Sequence, residues 1–372
     1  MSMKNTKFTG LLTRKKAVRY LIYILFVCVF AVFVIKLNQV EKTELVVRTG
    51  QTFEKAKVVK ILQDNLEENG TRVGEQKVRV RMLTGVRKGE ELDITSSSGY
   101  LFGAACKPGM KVIVMQSVAG DSTVASVYTQ DREGVIYIFA LIYLLVLCLI
   151  GGKQGIKGCL GLVFTFFCVI FVYLPLVYLK YSPFWTAVFV CFITTLVTMY
   201  LIGGPTQKTC AATLGTLVGV ILAGFSAWCF SKASGISGYN VSDIETLMTL
   251  WNTNRIQVGG LLFSGLLISC LGAVMDVAMS ISSAIDEIYR QNLSLSRKEL
   301  FKAGLRVGRD MMGTDSNTLI LAFAGSSVST LLLDYSYNLP YQQIINSNNI
   351  GIAIMQGLAG SFGLYFLYPL LC

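Results

Sequence analysis

Asp276 interrupts a long apolar run, in the string Gly272-Ala-Val-Met-Asp276-Val-Ala-Met-Ser280. A carboxyl group within a membrane-length segment is costly to keep there. Such residues face a protein interior or a water-filled path and mark sites of ion or proton handling. The run carries Gly265, Ser269, Gly272, Asp276, Ser280, Ser283 and Glu287, each four or three residues after the last. One helix face is therefore small or polar along its whole length. The chemistry this predicts is exchange of a proton or cation at Asp276, because burial set against a neighbouring charge decides whether such a group holds a proton. Ser269 and Ser280 flank it as hydroxyl partners.

A second cluster opens the next apolar run, in Val307-Gly-Arg309-Asp310-Met-Met-Gly-Thr-Asp315-Ser-Asn317-Thr318. Membrane charges tend to pair. Arg309, or Asn317 with Thr318, is expected to partner Asp276 across a helix–helix seam. Asp310 and Asp315 also suit the positive end of a helix dipole.

Other chemistry is excluded or unsupported. There is no histidine, so Ser-His and Cys-His catalysis is out, as are histidine metal sites. Ten cysteines are present without a CxxC pair, and they outline neither a disulfide framework nor a metal site. Gly203-Gly-Pro-Thr-Gln-Lys-Thr209 lacks the phosphate-loop spacing and reads as a turn. The many aromatic residues fit interfacial belts and core packing. No cofactor is called for. An intramembrane aspartyl protease would need two facing acids. Asp315 lies near the edge of its run without a companion motif, so the chain reads as a non-enzyme.

The elements that must position these residues are membrane helices. The chain has 372 residues, 53% hydrophobic and only 15% charged, against about 25% charged in soluble domains. The net charge of +11 does not point to nucleic acid. Between Leu37 and Glu133, 14 Lys and Arg nearly balance 13 Asp and Glu. The excess lies in the N-terminal tail and in short loops.

A basic tail, 1–19, precedes an apolar anchor at 20–36. A cleaved signal peptide competes with that reading, but no small-x-small cleavage site follows. Residues 40–131 form a β-rich domain, with alternation in Lys77-Val-Arg-Val-Arg81 and Lys111-Val-Ile-Val-Met115 between turn signals. A small OB-like barrel and an irregular β-sandwich both fit. Seven apolar runs follow within 134–372, near 134–151, 158–179, 184–203, 209–231, 258–283, 316–333 and 348–370. The expected fold is a mainly α, eight-span helical bundle with an extracytoplasmic β-domain inserted after the first span.

With the N-terminus inside, 15 cations fall on the cytoplasmic side, counting the tail, against 3 in the short outer loops between spans. This bias predicts cytoplasmic termini and an exterior β-domain. Ala211, Gly215, Gly219, Ala223 and Ala227 form a small-xxx-small ridge for close helix packing, as Gly265 and Gly272 do on the polar run. Residues 285–310 are expected to be amphipathic and cytoplasmic, with Ser296 and Glu299 forming a capping box.

The strings Leu271-Gly-Ala-Val-Met-Asp-Val-Ala-Met-Ser-Ile-Ser-Ser-Ala-Ile-Asp-Glu287, Gly304-Leu-Arg-Val-Gly-Arg-Asp-Met-Met-Gly-Thr314 and Asn317-Thr-Leu-Ile-Leu-Ala-Phe-Ala-Gly-Ser-Ser327 resemble the YibE/F family of bacterial multi-pass membrane proteins. The layout of anchor, outer β-domain and polytopic half is similar too. The resemblance implies a bacterial plasma-membrane location but lends no activity. This chain departs from the family pattern at Asp315, which replaces an apolar or small residue. It departs again at Ala353 and Gln356, where the family's last span carries an acid and an arginine.

A fainter similarity links Gly272, Val274 and Asp276, then Asp286 and Glu287, then Arg309 and Asn317-Thr-Leu-Ile320, to the central repeat of SecD/SecF and RND permeases. It implies proton coupling. The function expected is thus that of a permease, ion-coupled through Asp276. The alternative is a non-transporting assembly or envelope-maintenance factor whose outer domain binds a partner. The expected partners are the lipid bilayer and a second membrane subunit or second copy, with no nucleic acid.

Overall fold

The computed structural model describes residues 25–40, 50–68, 70–97, 103–119, 122–241 and 243–371. The basic tail and the first residues of the expected anchor lie outside them. The chain divides into two units, one spanning Thr43–Val146 and the other the remainder.

In the smaller unit, β1 (Gln51–Gln63), β2 (Gln76–Met82), β3 (Glu91–Ser96), β4 (Lys111–Ala119) and β5 (Ser122–Gln130) close a barrel in the order β1-β2-β3-β5-β4. All pairs are antiparallel except β3 with β5. Closure favours the OB-like barrel over the sandwich. Alternation does the work on β2, where Gln76, Val78, Val80 and Met82 point inward and Lys77, Arg79 and Arg81 outward. Outside, Arg79 pairs with Asp93 at 2.6 Å and Arg81 with Glu91 at 2.7 Å across the strands. Register shifts on β1 bend it enough to serve two neighbours.

Several polar residues are buried in this unit, Gln76 among them. Gln76 accepts from the Cys106 N–H at 2.8 Å, donates to the Cys106 carbonyl at 3.2 Å and donates to Asp64 at 3.1 Å. Cys106 is thus a buried structural residue that holds the segment before β4 on the barrel.

Helix α1 covers Leu25–Leu37 and α2 runs over Glu133–Tyr178. They are followed by α3 (Pro183–Gly203), α4 (Gln207–Ser234), α5 (Ile244–Asn254), α6 (Leu261–Gln291), α7 (Arg297–Ser326), α8 (Val328–Ser336), α9 (Tyr341–Ile345) and α10 (Asn348–Leu371). Among the described residues, five helices are long and apolar enough to cross a bilayer, or six if α7 and α8, bent by 58°, make one span. Length and composition therefore do not give the expected eight.

The difference has two sources. Only 25–37 of the anchor is described as helix. The two runs expected at 134–151 and 158–179 are joined in α2, which breaks at Gly152 (φ 52°, ψ −131°). Cys148 Sγ lies 3.5 Å from Cys159 Sγ, where a straight helix would separate the residues by about 16 Å. The chain reverses at Gly152, so α2 is two arms.

Near its end α2 carries a π-helical turn, Val169–Tyr173. Pro175 has no N–H for the Phe171 carbonyl. Asn38, just beyond α1, supplies the missing donor at 2.9 Å. The expected cytoplasmic segment 285–310 is the end of α6 and the first half of α7, joined by a turn. Ser296 and Glu299 cap α7 reciprocally, as the sequence predicts.

The small-residue ridge lies on α4, with Gly215, Gly219, Ala223 and Ala227 buried and Ala211 exposed. Close approach is required here. A Cβ on Gly363 of α10 would stand 2.6 Å from the Gly219 carbonyl oxygen, and one on Gly219 would stand 2.8 Å from Val274 of α6. The ridge thus seats α4 against both α10 and α6.

Candidate functional site

Helix α6 places Asp276. Leu266, Leu267, Cys270, Leu271, Val274, Val277, Ala278 and Ile281 are buried against neighbouring helices. Gly265, Ser269, Gly272, Asp276 and Ser280 are all exposed. The polar stripe read from the sequence is real as one face, and it lies on the surface of this single chain rather than inside its bundle. A Cβ added at Gly265 or Gly272 would meet nothing within 4 Å. Ser269 donates to the Leu266 carbonyl of its own helix at 3.0 Å.

Asp315 lies on the adjoining helix α7, near enough for its charge to repel that of Asp276. Asp315 accepts a hydrogen bond from the Tyr368 hydroxyl of α10 at 3.2 Å. Tyr368 is fully buried, and its ring lies against Gly308 of α7, where a Cβ would stand 2.6 Å from the ring. Glycine at 308 therefore lets α10 deliver the phenol to Asp315. Three helices thereby contribute one polar group each: Asp276, Asp315 and Tyr368.

Arg309 does not join them. It is exposed, and among the described residues no ion pair links it to Asp276. Arg309 and Asp315 are six residues apart, which puts them about 120° apart around α7. Asp310, Asn317 and Thr318 are exposed as well, and Thr318 donates to the Thr314 carbonyl at 2.9 Å. Ser316, between them, is buried with an unpartnered hydroxyl.

Tyr368 is the residue the sequence reading missed. A tyrosine in an apolar run is ordinary, and its acid lies 53 residues away. No group of three or more metal-binding side chains occurs among the described residues. What the arrangement offers chemically is a phenol that donates to one carboxylate, with a second carboxyl on the neighbouring helix.

The family of YibE/F-like proteins matches residues 139–372. The match begins within α2 and takes in α6, α7 and α10, while the barrel lies outside it. No curated protein and no solved structure matches the chain. Because the matched region covers more than half of its length and includes every helix of the site, the chain belongs to the YibE/F-like protein family.

Proposed function

We propose that this protein is a proton-coupled permease of the bacterial plasma membrane, with Asp276 exchanging the proton and Asp315, held by Tyr368, as its partner. The observation that carries this reading is an acid on a membrane-length helix beside a second helix whose own acid is hydrogen-bonded to a buried tyrosine. Eight crossings result if α1, each arm of α2, α3, α4, α6, the α7/α8 pair and α10 each cross once. The cation bias supports cytoplasmic termini and an exterior barrel. The chain is read as a carrier rather than an enzyme.

A lipid tail cannot solvate the exposed face of α6, and a charged residue facing lipid at a helix centre costs about 2.5–3.5 kcal/mol on insertion scales. A second copy, or a second membrane subunit, covers that face in this reading. Its glycines and serines suit a close helix contact. The test is hydrogen exchange of α6, α7 and α10 in lipid nanodiscs as pH changes. Wild type is expected to show a pH-dependent change in exchange that Asp276→Asn abolishes. Identical behaviour of the two would remove Asp276 from the mechanism.

The assembly-factor reading draws on the barrel, where Phe53 and Tyr128 stack edge-on at 5.1 Å while remaining 42% and 48% exposed. Loss of cellular function on deleting the barrel, with Asp276→Asn harmless, would favour it.

A further inference from the structure

We propose that Cys148 and Cys159 form a reversible disulfide that locks the two arms of α2 together when the membrane meets an organic hydroperoxide. The inference stands apart from the permease reading, since it uses neither Asp276 nor its partners. Three features of the turn carry it. Gly152 takes a left-handed backbone conformation (φ 52°) that reverses the helix. Gly155 is buried so tightly against the returning arm that a Cβ there would collide with the Leu147 carbonyl. Between these arms the two sulfurs lie 3.5 Å apart, and both side chains are half-buried.

A disulfide needs about 2.05 Å between sulfurs. The gap to be closed is short, and it lies between arms already packed tightly at Gly155 and Leu147. The buried pair Cys191 and Cys270 differs. Each sulfur there points at the Leu267 carbonyl, at 3.9 Å and 3.5 Å.

The setting fits a switch rather than a permanent staple. Lys153 is exposed at the turn, and Lys157 follows one turn later. Such a basic turn marks the cytoplasmic side, where thiols are kept reduced and disulfides are transient. Cys148 and Cys159 lie about 6 Å and 10 Å along their arms from Gly152. That depth favours an oxidant that partitions into lipid over one confined to water.

The chemistry balances. One thiol, as its thiolate, attacks the terminal oxygen of the hydroperoxide. The O–O bond breaks, an alcohol leaves, and a sulfenic acid forms. The second sulfur attacks the sulfenic sulfur and releases water. Two thiols are oxidised by two electrons, the hydroperoxide is reduced to the alcohol, and both thiol protons end in the alcohol and the water. Exchange with a dithiol reductant restores the pair.

The test uses the full chain in lipid nanodiscs, treated with cumene hydroperoxide and then cut by trypsin at Lys153 or Lys157. On a non-reducing gel the two halves are expected to stay joined in wild type and to part on adding dithiothreitol. Cys148→Ser and Cys159→Ser should each give separated halves, while Cys191→Ser should behave as wild type. Separated halves in oxidised wild type would overturn the proposal. So would halves that remain joined in Cys148→Ser, or cross-linking by copper phenanthroline but not by the hydroperoxide.

Discussion

A carboxyl group on a bilayer-crossing helix persists only where something other than lipid meets it. Asp276 was legible for that reason: an acid in an apolar run stands out, and the four- and three-residue spacing put it on one face with Ser269, Gly272 and Ser280. Its partner was not legible. The sequence favoured Arg309 because opposite charges attract, yet the helical phase of α7 turns Asp315 toward the site instead. Tyr368→Phe removes the hydrogen bond to Asp315. It is expected to lower stability in detergent by about 1 kcal/mol, read as a lower thermal midpoint, and to alter the pH response of α7. In the barrel, Arg79 beside Asp93 and Arg72 beside Asp64 hold both carboxyls below the usual carboxylate range. Their contribution is therefore present above about pH 4 and is lost as pH falls through the lowered folded values. The barrel's thermal midpoint should drop with acidification in that window, and by less in Asp93→Asn.

Among the elements, periodicity told most. Alternation marked the strands, and the capping box at Ser296 marked the start of α7. The ridge on α4 marked a close contact, although which helices filled it depended on non-local packing by Gly363 and Val274. A small barrel was expected, but the strands that close it were not legible, since β3 meets β5 through the single pair Thr95 and Ser126. Gly363→Leu would force a side chain into the Gly219 backbone. It should destabilise the helical unit by about 1–3 kcal/mol, measured by thermal aggregation in detergent, whereas Leu214→Ala on an exposed α4 position should have little effect. The Asn38 contact is a second element-scale test. Asn38→Ala leaves the Phe171 carbonyl without its side-chain donor and should cost about 1–3 kcal/mol in the same assay.

At the scale of the whole molecule, composition alone announced a membrane protein, and the family match agrees. The span count was harder. A glycine turn can join two crossings into one helical stretch, and the 58° bend between α7 and α8 divides another. Neither reveals itself in hydropathy. Nor could the sequence say that the polar stripe would face out of a single chain, because periodicity identifies a face without naming its neighbour. Covering by a second copy predicts that Ser269→Cys, in a background lacking the native cysteines, cross-links between copies under oxidation, while Leu214→Cys does not. No dimer at Ser269 would leave the stripe to some other partner. The most direct measurement concerns Asp276 itself: the extent of its modification by a lipid-soluble carbodiimide, quantified by mass spectrometry over a pH series running upward from the ordinary aspartate value of about 4. The account predicts that labelling follows a titration curve in wild type and that the curve moves in Asp315→Asn. Labelling that is flat across that range, or unchanged by the loss of Asp315, would contradict it.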